Sequence, residues 1–152
     1  MYNESMEIIE KLEGKKIDLV LNKVMEGDDK KGYVPALLYK MVLHNTNEVV
    51  GFCDARIGYN ENIYYGGHIG YSVREEYRGN GYAVEAVELL KKVFKANDMR
   101  WIYITNNPDN HPSIRVCEKA GARFVKLVEL PEYNEQRVEM GELFKNIWEL
   151  KF

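Results

Sequence analysis

The sequence has only two cysteines, Cys53 and Cys117, and no Cys-x-x-Cys pair. That excludes a disulfide framework and a cysteine-based zinc site. Neither is needed, because a chain of this size buries roughly 70% of its unfolded surface. No stretch approaches the ~20 apolar residues of a membrane helix. The opening Met1-Tyr2-Asn3-Glu4-Ser5 has no basic segment leading into an apolar one, so neither a membrane span nor a secretory signal is expected. Positive charge is not in excess. Lys and Arg number 21 against 24 Asp and Glu, a net charge of −3, which argues against nucleic acid as a partner and leaves a basic substrate open. The phosphate loop Gly-x-x-x-x-Gly-Lys-Ser/Thr is missing. So is Gly-x-Gly-x-x-Gly, since Gly79-Asn80-Gly81 runs on into Tyr82-Ala83-Val84. There is no internal repeat or low-complexity tract. The rest is ordinary for a globular protein, with 45% apolar and 30% charged residues. The reading is a single domain over residues 1–152, in a reducing cytoplasm, without a metal.

Hydrophobic periodicity divides the chain. Met6, Ile8, Ile9 and Leu12 predict a short amphipathic helix ending at Gly14. Ile17, Leu19 and Leu21 alternate as a strand. Glu26 to Gly32 is a charged loop. Pro35 to Leu43 and Glu48 to Ile57 are apolar runs separated by His44-Asn45-Thr46-Asn47, a hairpin with a four-residue loop. After a turn from Gly58 to Asn62, Tyr64 to Val73 reads as a further strand. The period then changes. Ala83, Ala86, Val87, Leu90, Val93 and Phe94 fall at helical spacing, with Glu85, Glu88, Lys91, Lys92 and Lys95 facing away. Trp101 to Ile104 is a buried-type strand. Pro112 to Ala120 is a helix capped near Asn110 or His111 and stopped at Gly121. Arg123 to Leu130 and Glu142 to Phe152 are the last strands, joined by a loop with Pro131 and Gly141. This order predicts an α+β (mixed α/β) domain, its sheet flanked by helices.

The segment Arg78-Gly79-Asn80-Gly81-Tyr82-Ala83 lies between a strand and the most periodic helix. A helix N-terminus presents unpaired N–H groups and the positive end of the macrodipole, which together make an anion site. Glycines at 79 and 81 let the backbone approach a phosphate closely. Small Ala83 leaves the first turn uncrowded, and Arg78 adds charge or packing at the edge. The plain alternative is a glycine-rich strand-to-helix turn.

These residues resemble the acetyl-CoA signature of the GNAT N-acetyltransferases, Gln/Arg-x-x-Gly-x-Gly/Ala, at each of its defined positions. His68-Ile69-Gly70-Tyr71-Ser72-Val73 looks like that family's fourth strand. Asn110-His111-Pro112-Ser113 through Glu118-Lys119-Ala120-Gly121-Ala122 is similar to the Asn-x-x-Ser…Glu-Lys-x-Gly-Phe segment of its ribosomal-protein-acetyltransferase-like branch, with Ala122 in place of Phe. The resemblance covers roughly residues 66–125 and implies a GNAT-like acyl-CoA N-acyltransferase fold with a mixed, mostly antiparallel sheet. It also implies acetyl transfer from acetyl-CoA, by direct attack, to a primary amine of a small molecule, peptide or protein. The family has two helices after its first strand, where this chain has only the short stretch from Glu26 to Pro35.

By the same resemblance, backbone groups of Tyr71 and Val73 would hold the pantetheine arm, with Ser72 between them in the cofactor site, and Arg78, Gly79, Asn80, Gly81, Tyr82 and Ala83 would hold the pyrophosphate. Asn110 and Ser113 would contact the arm, and Lys119 and Arg74 the adenine-ribose phosphate. The N–H of Val73 would support the oxyanion. A tyrosine serves many members as the acid for the departing thiolate; its position is Cys117 here, so Ser113 is the first candidate and Cys117 the second. A glutamate serves histone-type members as base; its position is Gly67, so the adjacent His68 is the candidate. Asp54, Arg56, Glu61, Tyr33, Tyr64 and Tyr65 are candidates for the acceptor side. Against each stands a plainer role: a helix cap for Asn110, a solvated charge for Lys119, a small buried thiol for Cys117, a packed histidine for His68. Two other classes remain, a non-catalytic acyl-CoA sensor and a structural protein. Edge strands near the C-terminus allow a homodimer.

Overall fold

The computed structural model describes residues 6–152. Strands β1 (Lys11–Glu13), β2 (Ile17–Met25), β3 (Ala36–Leu43), β4 (Val49–Arg56) and β5 (Ile69–Val73) form one antiparallel sheet in sequence order. Helix α1 (Glu61–Gly66) stands between β4 and β5. Helix α2 (Tyr82–Ala96) leads to β6 (Trp101–Asn106), and α3 (His111–Ala120) to β7 (Arg123–Glu129). A short helix α4 (Glu135–Met140) precedes β8 (Phe144–Lys151). The last three strands form a second antiparallel sheet in the order β6-β8-β7.

Each sheet presents one alternating face to a common core. Leu37, Tyr39 and Met41 on β3 and Ile102 and Ile104 on β6 are fully buried. Helix α2 covers that core with Ala86, Val87, Leu89, Leu90, Val93 and Phe94. This is the face that its 3.6-residue periodicity predicts. The hairpin of β3 and β4 forms as expected, its turn using Asn45 at φ 58°.

Three expectations are corrected. The segment through Leu12 is extended, and β1 pairs with β2, with Leu12 opposite Leu19. Its apolar side chains reach the core from an added edge strand, and Met1 to Ser5 lie outside the described residues. Tyr64 and Tyr65 belong to α1. The Asn60 side chain caps this helix by accepting from Ile63 N–H, and Gly67 at φ 80° ends it. The strand therefore starts at Ile69. The loop with Pro131 and Gly141 contains α4, capped by Asn134 and ended by Gly141 at φ 71°. No α4 residue is buried, so it has no apolar face that periodicity could register. The sheet is divided in two, and a cleft lies in the division. Among the described residues, no helix is long and apolar enough to cross a membrane, and no group of three His, Cys, Asp or Glu is placed to hold a metal.

Candidate functional site

The two sheets meet at one point. His68 N–H donates to Tyr103 O at 2.9 Å, and Tyr103 N–H donates to His68 Nδ1 at 2.9 Å. Beyond it β5 and β6 diverge toward their C-terminal ends. The gap is a cleft of about 810 Å³ lined by β5, the end of β6, the start of α2 and one side of α3. One edge of β5 is bonded to β4. Arg56 N–H donates to His68 O and Arg74 N–H to Val50 O, so even-numbered positions turn toward β4. Alternation then turns the main-chain groups of Tyr71 and Val73 to the open cleft. The main chain of Ser72 faces β4, opposite Phe52, and its residue lines the cleft from the rim.

At the far end, one 3-10 turn (Glu75–Tyr77) brings the chain to α2. Gly79 and Gly81 take φ of 85° and 78°, the left-handed conformation that favours glycine. A Cβ at Gly79 would meet nothing within 4 Å, so the loop is open above its backbone. Gly81 is the N-cap and offers no side chain to the first turn of α2. The first-turn N–H groups are therefore left for an anion. Glu85 would oppose an anion there, but its carboxylate accepts the N–H groups of Lys15 and Lys16 on the turn between β1 and β2. The Lys16 ammonium donates to Asn80 O at 3.0 Å and lies 3.8 Å from where a Gly81 Cβ would be. Lys16 is thus a cation latched to the loop from 64 residues away. No local pattern marks it.

Of the residues expected to hold a cofactor, Tyr71, Ser72, Val73, Arg78, Gly79, Gly81, Tyr82, Ala83, Asn110, Ser113 and Lys119 line this one cleft. Arg115, not singled out from sequence, lines it as well. Asn80 and Arg74 stand apart. The Asn80 amide donates to Tyr77 O and closes the turn. Arg74 donates to Val49 O, with its guanidinium 6.0 Å from the Phe52 ring centroid. Arg78 Nε donates to Val73 O at 3.1 Å, tying the loop back to the strand.

The catalytic candidates separate sharply. Ser113 lines the cleft, and its Oγ is 2.9 Å from the Tyr71 hydroxyl. Asn110 caps α3 by accepting from Ser113 N–H. His68 is corrected. It is fully buried, Nε2–H donates to Gly58 O at 2.8 Å, and Nδ1 accepts from Tyr103. Burial beside Phe94 and Trp101 lowers its pKa to about 4, so it is a neutral fastener between the sheets with no nitrogen left for a substrate. Cys117 is corrected too. It is fully buried and does not line the cleft, and burial pushes its thiol up to about 12. Gly67 is poorly suited to a side-chain base, because its φ of 80° and ψ of 166° lie in a region reserved for glycine and a Cβ would sit 3.1 Å from Thr105 N.

A second cleft of about 730 Å³ opens beside β4 and α1 and shares Arg56 and Gly66 with the first. It is lined by the loop after β2, by β4, by α1 and by α4, which occupies the side left uncovered by the short stretch from Glu26 to Pro35. Its carboxylates are Glu26, Asp28, Asp54 and Glu135 and its cations Lys31 and Arg56. Arg56 is engaged with Gly66 O, Gly67 O and Asp54. Asp54 also accepts Gly70 N–H at 2.8 Å, and Gly70 lines the first cleft. Tyr33 donates to Glu135, and Tyr133 to Glu61, which fastens the α4 segment over this side. Tyr64 and Tyr65 do not line it.

The family model described as acetyltransferase (GNAT) domain matches residues 8–123, more than half the chain. No curated protein matches the sequence. Among solved structures, an acetyltransferase of the GNAT family from Bacillus anthracis is 27% identical, with a TM-score of 0.58 over 75% of this chain and 65% of that one. The microcin C7 self-immunity acetyltransferase, solved in complex with acetyl-CoA and AMP, is 18% identical, with a TM-score of 0.59 over 77% of this chain and 61% of that one. This chain thus spans less than two thirds of those two proteins. Ribosomal-protein-S5-alanine acetyltransferase from Vibrio fischeri is 17% identical, with a TM-score of 0.65 over 93% of this chain and 96% of that one. The latter two likenesses show a shared fold.

Proposed function

The chain belongs to the GNAT acetyltransferase family, and we propose that it transfers the acetyl group of acetyl-CoA to a primary amine by direct attack on the thioester. One observation carries this reading. The unpaired edge of β5 runs along a cleft that ends at the glycine loop and the uncapped N-terminus of α2. An extended amide chain bearing a diphosphate fits that sequence of groups. Its pantetheine amides would add to β5 as a strand partner, through Tyr71 and Val73. Its diphosphate would take the N–H groups after Gly79. Lys119, Arg115 and Lys16 supply cations for the remaining phosphate charge.

The acceptor enters from the second cleft, which meets the first at Arg56 and Gly66. Its carboxylates outnumber its cations, and Arg56 is already paired, so the site favours a positively charged amine on a small molecule or a peptide. The Vibrio fischeri relative is named for a ribosomal protein, which supports a protein or peptide acceptor. An amine with a pKa near ~10.4 must lose a proton before it attacks. Asp54 lines the second cleft and accepts the N–H of Gly70, which lines the first, so it is our candidate to hold the ammonium and receive that proton, directly or through water. A cleft-facing main-chain N–H of β5 supports the oxyanion. Both cysteines are free and buried, in keeping with a reducing cytoplasm. A homodimer is part of the same reading. β7 is an edge strand, and its Phe124 and Leu127 are 47% and 51% exposed.

The test is steady-state thiol release from acetyl-CoA with a panel of amines and peptides, with the product identified by mass. A product heavier by one acetyl group is expected, with cationic amines preferred. Tight cofactor binding without turnover on any acceptor would instead make the chain an acyl-CoA sensor.

A further inference from the structure

Asn106 ends the buried face of β6, after Ile102 and Ile104, and is 3% exposed. It lies beside the cleft with all four side-chain hydrogen-bonding positions engaged. Its Oδ1 accepts from Trp148 Nε1 at 3.3 Å and from Asn146 Nδ2 at 3.0 Å. Its Nδ2 donates to Ser113 Oγ at 3.3 Å and to Cys117 Sγ at 3.6 Å. An indole N–H can only donate. Trp148 therefore fixes which end of the Asn106 amide is oxygen, and hence that Ser113 receives a hydrogen from Asn106.

The second partner of Ser113 is the Tyr71 hydroxyl, 2.9 Å away across the cleft. These two hydroxyls carry two protons and share one hydrogen bond, so one O–H is left over. Among the described residues no other atom takes it. A phenol is a much better donor than an alkanol, so Tyr71 gives its proton to the bond and the Ser113 O–H is the free one. With one lone pair filled by Asn106 and the other by Tyr71, that O–H is free to turn to a group bound in the cleft that Ser113 lines.

We propose that Tyr71 and Asn106 are positioning residues that aim the Ser113 hydroxyl at the thioester sulfur. The inference rests on the acetyl-transfer reading and adds to it two residues held outside the loop motif. In the reaction the amine nitrogen forms a bond to the acetyl carbon. When the tetrahedral adduct collapses, the C–S bond breaks and sulfur leaves with the electron pair. The Ser113 O–H hydrogen-bonds that thiolate. The proton that ends on sulfur is the one the amine sheds, carried by solvent, so Ser113 and Tyr71 finish with the protons they began with. Burial pushes the Tyr71 phenol up to about 12, well above a thiol, which keeps it a donor rather than a proton source.

The experiment compares kcat, KM for acetyl-CoA and calorimetric Kd for CoA in the wild type, Tyr71→Phe, Ser113→Ala, the double variant and Ser113→Thr. A hydrogen bond to a developing charge is worth a factor of roughly 10 to 100. Ser113→Ala should lower kcat by about that factor and Tyr71→Phe by about tenfold, with the Kd for CoA unchanged. Because Tyr71 acts through Ser113, the double variant should be no slower than Ser113→Ala. Ser113→Thr retains the hydroxyl and should recover most of the rate. Asn106→Asp is the second probe should Tyr71→Phe not fold. It places an acceptor where Ser113 needs a donor and should cost as much as Ser113→Ala. Additive losses in an active enzyme, or a Kd that rises in step with the fall in kcat, would overturn the aiming role alone. A wild type that binds CoA and acetylates no amine would overturn the acetyl-transfer reading and this one together.

Discussion

His68 acts as a fastener. It is neutral because burial strips its charged form of water, and both ring nitrogens bond across the junction of the sheets. Its folded pKa of about 4 lies below the reference value of 6.5. Between those values the unfolded chain binds a proton that the folded chain refuses. Stability is therefore full above pH 6.5 and falls as pH drops toward about 4, by about 3 kcal/mol from this residue. An NMR titration of the His68 ring should show it neutral down to pH 5; a midpoint near 6.5 would contradict the burial argument. At Gly81, Asp would put a negative charge where the diphosphate belongs. Gly81→Asp should weaken CoA binding by tenfold or more, about 1.4 kcal/mol, in a calorimetric titration. Its φ of 78° adds only a small conformational cost, so the melting temperature should fall by a few degrees at most. Unchanged affinity would remove the phosphate from that loop. These two residues also differ in legibility. Gly81 carries a local signal, a glycine ahead of a periodic helix. The pocket of His68 is assembled from Tyr59, Phe94, Trp101 and Tyr103, which no spacing around residue 68 reveals.

Among the elements, α2 and α4 are opposites. α2 buries six residues and packs on both β4 and β5, whereas α4 buries none and is held by side-chain bonds such as Tyr33 to Glu135. Local opening follows buried apolar contact. Amides of α4 should exchange with deuterium orders of magnitude faster than those in the middle of α2, as read by mass spectrometry. Equal protection would mean that α4 is a fixed wall of the second cleft. The same contrast explains what the sequence made readable. A helix with an apolar face announces itself by period, and a hairpin by its turn. α4 carries only caps, at Asn134 and Gly141, and no face. The first apolar cluster has helix-like spacing, yet Leu12 is more favourably placed extended, opposite Leu19, where it closes the edge of the first sheet. Asn106 has no local signature, because its partners Asn146 and Trp148 lie 40 and 42 residues away.

For the molecule as a whole, function follows from a sheet that fails to close. Two antiparallel sheets share a core, touch at His68 and Tyr103, and part beyond it. The first cleft lies in that gap, and the second meets it at Arg56 and Gly66. A dimer through the second sheet should appear in sedimentation velocity as a species of twice 17.8 kDa, and Leu127→Glu should convert it to monomer. A monomer at all concentrations would leave Phe124 and Leu127 as exposed surface residues. The central claim is that the gap between β5 and β6 holds acetyl-CoA, with its sulfur between Ser113 and the second cleft. A crystal structure with CoA bound tests this most directly. It should show the pantetheine amides bonded to Tyr71 and Val73, the diphosphate on the N–H groups after Gly79, and the sulfur within hydrogen-bonding reach of Ser113. CoA bound elsewhere, or in the gap with its sulfur turned away from Ser113, would contradict it.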